Sequence, residues 1–294
     1  MLLTTGLGFK VGIFFGFLLL TGLCVFLAAW FETKRLSVKQ VYAGSAQRLA
    51  KICFISDLHF PWFFVNMRAV IDIIEDSDCD FVCIGGDFCN SDSQIPRVLE
   101  FVSALSAAVP DRQIYIVMGN HDFRDAAKKD RVALKKLVNS LEKCGENVHV
   151  PEDGIAEIEL RGLGEKVALC GFKDRTCFDE KSAGEALDAL RESGCDKKIM
   201  LMHNPDLLLD LEKAGNRLDF EALVLAGHTH GGQVKLPFRI ETYVLRKDRL
   251  PRKGMTHGLY DYNNTVKLYI TCGLGESALP VRLGTRPEVV FVYY

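Results

Sequence analysis

The sequence predicts a layered α/β domain standing behind an amino-terminal membrane helix. Three observations carry that expectation. From Val11 to Phe31 there is no charged residue in 21 positions. After residue 50, short runs of branched and aromatic residues alternate with helix-period patterns, the signature of strands and helices in layers. The chain then closes on two almost purely β-type runs, TVKLYITCG and PEVVFVYY. At 294 residues it is long enough to bury a sizeable core.

The apolar run comes first. At about 1.5 Å per residue, 21 helical residues span roughly 31 Å, close to the hydrocarbon thickness of a bilayer. A cleaved signal peptide is the rival reading, but its apolar core is usually only about 7–15 residues behind a positive start. Here Lys10 is the sole charge before the run. A buried core helix would show a polar face, and this run shows none. Residues 1–31 are therefore expected as a membrane anchor. Lys34, Arg35, Lys39, Arg48 and Lys51 follow the span, so the positive-inside rule places the carboxyl-terminal part in the cytoplasm. Trp30 and Phe31 fall where aromatic residues meet the headgroups.

Residues 32–50, with mixed charge and Gly44-Ser45, read as a juxtamembrane linker, and 51–294 as the main domain. Within it, strands are expected at Lys51–Ser56, Asp80–Gly86 and Gln113–Gly119. Helices are expected at Asn66–Glu75, Ile95–Ala107 and Asp125–Lys143, the last with apolar residues at Val132, Leu134, Leu137, Val138 and Leu141. Shorter strands follow around Val148, Ile155–Leu160 and Lys166–Phe172. A helix over Ser182–Glu192, a strand at Lys198–His203, a helix over Asp206–Ala214 and a strand at Ala222–His228 complete the alternation. No internal repeat is present.

Composition removes several function classes. A net charge of −2 gives no reason to expect a nucleic-acid binder, which would carry a basic excess. Ten scattered cysteines contain no CxxC pair, so neither a zinc ribbon nor a thioredoxin-type centre is supported. Cys53 and Cys83 lie in apolar runs, where a reduced thiol packs as a small hydrophobe. No protein partner is expected from the sequence.

The chemistry-bearing residues gather where strands end, the place where open α/β sheets put their sites. Asp57-Leu58-His59 follows the first strand, Gly85-Gly86-Asp87 the second and Gly119-Asn120-His121-Asp122 the third. Later strands end at His203-Asn204-Pro205 and at Gly227-His228-Thr229-His230-Gly231-Gly232. Five of seven histidines occupy such ends; His149 and His257 do not. A lone strand-end Asp is usually a cap, and a lone His is usually a satisfied surface or core group. The whole set together argues for a metal site. Two divalent ions about 3.5–4 Å apart repel, and a carboxylate touching both is the simplest bridge. Residues i and i+2 at a strand end can turn to one side, so Asp57 with His59, and His228 with His230, can share ions. Asn120 can add a neutral oxygen. Mixed imidazole and carboxylate donors suit Mn2+, Fe or Zn2+ better than Mg2+ or Ca2+.

The combined motifs DLH, GGD, GNHD, H before NP, and GHTHGGQ resemble those of the calcineurin-like metallophosphoesterase family, over nearly all of Ile52–Tyr294. The resemblance implies a four-layer α/β/β/α sandwich holding two divalent ions, most simply Mn2+. It implies Asp57, His59, Asp87 and His230 on one ion, and Asp87, Asn120, His203 and His228 on the other. His121 would then stand by the leaving-group oxygen, with Asp122 orienting its ring. The implied reaction is in-line attack of an activated water on phosphorus.

Departures narrow the substrate. The protein phosphatases of the family carry an Arg shortly after the GD motif, whereas Asp87 is followed by Phe88-Cys89-Asn90-Ser91. The closing motifs, GHTHGGQVKLP, LYITCGLG and LPVRLGTRPEV, resemble the membrane-associated phosphodiesterase branch. That branch includes enzymes that cleave UDP-2,3-diacylglucosamine to 2,3-diacylglucosamine 1-phosphate and UMP in lipid A biosynthesis. This lipid-linked nucleotide diphosphate is the substrate the resemblance implies, acted on at the bilayer of a bacterial inner membrane. A general or cyclic-nucleotide phosphodiesterase shares every metal residue, and a non-catalytic scaffold of the same fold would lack some of them. Substrate contacts are expected from Arg282 first, from Arg124, and from Phe60 and Trp62 as an apolar surface at the site's mouth. Core packing is the alternative for the two aromatics.

Overall fold

The computed structural model describes residues 2–44, 50–60, 62–123, 131–160 and 164–294. Helix α1 (Leu2–Thr33) leads the chain. Every residue from Val11 to Ala28 is exposed, and Phe9–Thr33 is long and apolar enough to cross a membrane.

Two six-stranded sheets form the body. The first orders its strands β1 (Ser37–Tyr42), β12 (Glu288–Tyr293), β2 (Lys51–Ile55), β3 (Phe81–Ile84), β4 (Gln113–Ile116) and β5 (Val148–His149). The second runs β10 (Gly258–Asp261), β11 (Val266–Ile270), β9 (Ala222–Ala226), β8 (Lys197–Leu201), β7 (Lys166–Gly171) and β6 (Gly154–Glu159). The run β2, β3, β4 in the first sheet and the run β7, β8, β9 in the second are each parallel, while β12 pairs antiparallel with β2.

Alternation along the strands builds three cores at once. In β2, Cys53 and Ile55 face outward to α2 (Met67–Glu75), α3 (Ile95–Ala108) and α4 (Arg131–Glu142), meeting Val70, Ile74, Phe101 and Leu105. Ile52 and Phe54, one step along, face inward to the second sheet. In β9, Val224 packs on α5 (Glu180–Glu192) and α6 (Leu207–Lys213), while Leu223 and Leu225 face the first sheet. Period-two side chains therefore give helix, sheet, sheet and helix in four layers. Asn66 caps α2, accepting from the amides of Arg68 and Ala69. All ten cysteines are free thiols, and Cys53 and Cys83 are buried in the core.

One expectation needs correction. Residues 32–50 are not simply a linker. Glu32 and Thr33 finish α1, and Ser37–Tyr42 is an edge strand paired in parallel with β12. Its side chains are mostly exposed, so it lacks the apolar alternation that marks a strand in sequence. Residues 237–252, on which the sequence pattern makes no assignment, form short turns of helix, a π turn at Glu241–Leu245 and α7 (Arg249–Arg252).

Candidate metal centre

The carboxyl ends of β2, β3 and β4 meet those of β8 and β9 across the sandwich, and the loops leaving them bring all seven expected donors together. His59 Nε2 lies 3.1 Å from His230 Nε2 and 3.4 Å from Asp87 Oδ2. Asp87 Oδ2 is also 3.2 Å from His203 Nε2, so this one carboxylate faces both histidine groups. His230 Nε2 stands 3.4 Å from Asp57 Oδ1. His203 Nε2 lies 3.2 Å from both Asn120 Oδ1 and His228 Nδ1. Donor atoms of Asp57, His59 and His230 lie within 4.8 Å of one another, as do those of Asp87, His203 and His228. His59, Asp87 and His121 form a third such group between them.

The backbone is bent to make this possible. Asp57, His59, Asp87, His228 and His230 all hold φ between 45° and 69°. Such left-handed conformations cost a non-glycine residue on the order of 1–3 kcal/mol and persist where the surroundings impose them. Gly119 passes so close to Asp87 that a Cβ there would sit 2.2 Å from its Oδ1, which explains the glycine.

Outer contacts aim the rings. His203 Nδ1 lies 2.7 Å from the Gly85 carbonyl, and His230 Nδ1 lies 3.1 Å from that of Gly275. A ring that donates from Nδ1 presents its Nε2 lone pair inward. Burial, together with the charges of His59, Arg282 and Arg246, lowers the His230 pKa well below its ordinary value. His203 is different: burial would lower it, but the carboxylates of Asp87, Asp57 and Asp174 together raise it well above. Converging imidazole nitrogens beside buried carboxylates fit divalent cations. Burial first, and then the Asp87 charge, push the Asp122 carboxyl up to about 7.

The contacts of Asp122 give it a different task from orienting His121. Its Oδ1 accepts from the amides of Phe88 and Cys89, and its Oδ2 from those of Asp87 and Gly119. It clamps the Asp87 loop. Beside His121 Nδ1, at 2.6 Å, is Asn90 Oδ1, which also stands 3.3 Å from His59 Nδ1. Asn90 was missed in the sequence, although it lies only three residues past Asp87.

The expected substrate contacts fare differently. Arg282 is fully buried; it donates to Glu276, to the Cys272 carbonyl and to the Gly275 carbonyl. It braces the carbonyl that orients His230 and does not reach the cleft. Phe60 is also buried, against Phe63 and Phe101, so core packing accounts for it. Trp62 is half-buried, with its amide donating to the His59 carbonyl. Arg124 lies outside the described residues.

A cleft of about 520 Å³ opens over the donors. Asp87, Asn120, His121, His228 and His230 form its floor, and Arg246, Lys247, Asp248, Gln233 and Leu279 its walls. Asp248 Oδ1 lies 3.2 Å from His228 Nε2, and Arg246 bonds the Thr229 carbonyl. Arg246, Lys247 and Asp248 come from the irregular 237–252 stretch, where no periodicity announces them. A cavity of about 320 Å³ lies at the other end of the sheets, against Lys197, Ala222 and Asn264, away from the donors.

A family model described as calcineurin-like phosphoesterase matches residues 50–232. An uncharacterized metallophosphoesterase of Bacillus subtilis, YkoQ, is 27% identical over 88% of this chain and 89% of its own length. The phosphodiesterase YaeI of Escherichia coli is 26% identical over 82% of this chain and 81% of its own. A bovine transmembrane protein with a metallophosphoesterase domain is 26% identical over 81% of this chain, which spans about half of it, 51%.

Proposed function

The chain belongs to the calcineurin-like phosphoesterase family and is a metal-dependent phosphohydrolase; from that premise we propose that it hydrolyses a phosphodiester or pyrophosphate held at a membrane surface. The observation that carries the reading is Asp87, whose single carboxylate oxygen lies within 3.4 Å of one histidine group and 3.2 Å of the other. Asp57, His59, Asp87 and His230 would hold one ion, and Asp87, Asn120, His203 and His228 the second, with Mn2+ the first candidate. When bound, such a pair supplies Lewis acidity and lowers the pKa of water toward ~7. His121, at the cleft floor, gives a proton to the leaving-group oxygen, its ring held through Asn90 at Nδ1. Arg246 and Lys247 receive the anionic remainder of the substrate from the cleft wall.

The membrane part rests on α1. Its exposed apolar surface and the basic residues that follow it favour an anchor with the domain on the cytoplasmic side. Tethering beside a lipid-tailed substrate raises effective concentration without a new contact. UDP-2,3-diacylglucosamine is the specific substrate to try first. The name of the E. coli relative favours a second reading, a general phosphodiesterase. Purified full-length protein with Mn2+ decides between them. UMP release from UDP-2,3-diacylglucosamine at higher kcat/KM than hydrolysis of bis-p-nitrophenyl phosphate supports the lipid substrate; the reverse order supports the general enzyme. Asp87→Ala should lose most metal and activity, and His121→Ala should keep metal and lose turnover. Metal analysis of both variants checks this, and full activity in either refutes the assignment.

A further inference from the structure

Phe60, expected at the site's mouth, is buried and Trp62 half-buried, but an exposed apolar surface stands elsewhere beside the cleft. Leu236, Phe238, Ile240, Tyr243 and Val244 are all exposed, Phe238 at 91% and Val244 at 71%. Leu279, 55% exposed, lines the cleft mouth, and its carbonyl accepts from Gln233 Nε2 at 2.6 Å. Phe238 and Arg239 hold φ of 58° and 59°. A side chain this large, presented to solvent from a strained backbone, points to a contact the isolated chain does not make.

Charge and connectivity say what that contact is. Between Lys235 and Lys253 the sequence carries seven basic residues and two acidic ones, Glu241 and Asp248, and Glu241 is buried. Apolar side chains set among lysines and arginines match an anionic bilayer surface. The segment is also tied to the end of α1. Thr33 Oγ1 accepts from the Arg282 amide at 2.9 Å, and Glu32 accepts from the Gly284 amide at 2.6 Å. Between those two residues, the Leu283 carbonyl accepts from the Lys235 amide at 2.9 Å. Residue 236 therefore starts one step from the loop that the last turn of α1 grips.

We propose that residues 236–244, with Leu279, seat on the leaflet that α1 enters, and hold the cleft mouth against the lipid headgroups. The inference rests on the membrane-substrate reading above and adds to it a second, non-helical membrane contact. It follows that substrate can enter from the bilayer between the α1 end and the 236–244 segment.

The test uses the full-length chain reconstituted into vesicles of phosphatidylcholine and phosphatidylglycerol, with or without bromines near the top of the acyl chains. The native tryptophans are Trp30 and Trp62, and Trp30 near the α1 end reports on anchoring. Phe238→Trp, and separately Val244→Trp, should add blue-shifted emission quenched by the bromines, because interfacial side chains sit roughly 5–10 Å into the headgroup boundary. Quenching of Trp30 with unquenched, water-like emission from both added tryptophans overturns the proposal while the anchor stands. No quenching of any tryptophan overturns anchor and proposal together. Hydrolysis of bis-p-nitrophenyl phosphate by each variant at the wild-type rate establishes that the fold and the metal centre are intact, so loss of catalysis is read separately.

Discussion

Asp122 and Arg282 illustrate how far a residue's role depends on what it touches. Asp122 takes four backbone N–H bonds from the Asp87 and Gly119 turns. Removing it should loosen the bridge carboxylate without touching a metal directly. Asp122→Ala is expected to weaken metal binding about 10–100-fold, the usual effect of losing an outer-shell partner, as read by calorimetric titration. Arg282 is paired with Glu276 out of reach of water. Arg282→Met would leave that carboxylate buried and alone, at a cost of roughly 3–5 kcal/mol in unfolding free energy measured with urea. A change in KM with unaltered stability would instead restore Arg282 as a substrate contact.

At the scale of elements, the site depends on pairs of turns that approach closely. The loop after β3 crosses the loop after β4, and a Cβ on Gly119 would collide with Asp87 at Oδ1 and at its own backbone nitrogen. Gly119→Ala should therefore displace the carboxylate shared by both histidine groups. Activity should fall at least about tenfold, since misplacing a catalytic group by about 1 Å costs more than that, and metal analysis should find fewer ions per chain. The joint between α1 and the domain is a second such place. Thr33→Val removes the bond to the Arg282 amide and should destabilise that joint by about 0.5–1.5 kcal/mol, seen as faster amide exchange at Arg282.

The whole molecule joins an exposed apolar helix to a two-sheet sandwich whose reactive end lies on the same side as the end of that helix. Arg282 links these parts: its amide meets Thr33, while its guanidinium braces the Gly275 carbonyl that aims His230. Two outcomes are expected of the intact protein. Expressed in cells, it should stay with membranes through alkaline carbonate washing, and release into the supernatant would remove the anchor. Chelation should abolish phosphodiester hydrolysis, and added Mn2+ should restore it.

The sequence by itself determined the layered fold, since strand alternation and helical period are local properties written into neighbouring residues. It also singled out the seven residues that the structure brings together, because Asp57, Asp87, Asn120 and the histidines sit directly at strand ends. The edge strand Ser37–Tyr42 was hidden because an exposed strand lacks apolar alternation. Only the tertiary structure decided which arginine lines the cleft and which aromatics are exposed. Burial of Arg282 and Phe60, and exposure of Phe238, depend on partners far away in the chain, and one sequence window records no such distance. The same holds for Asn90, whose meaning appears only once His59 and His121 close on it from separate strands.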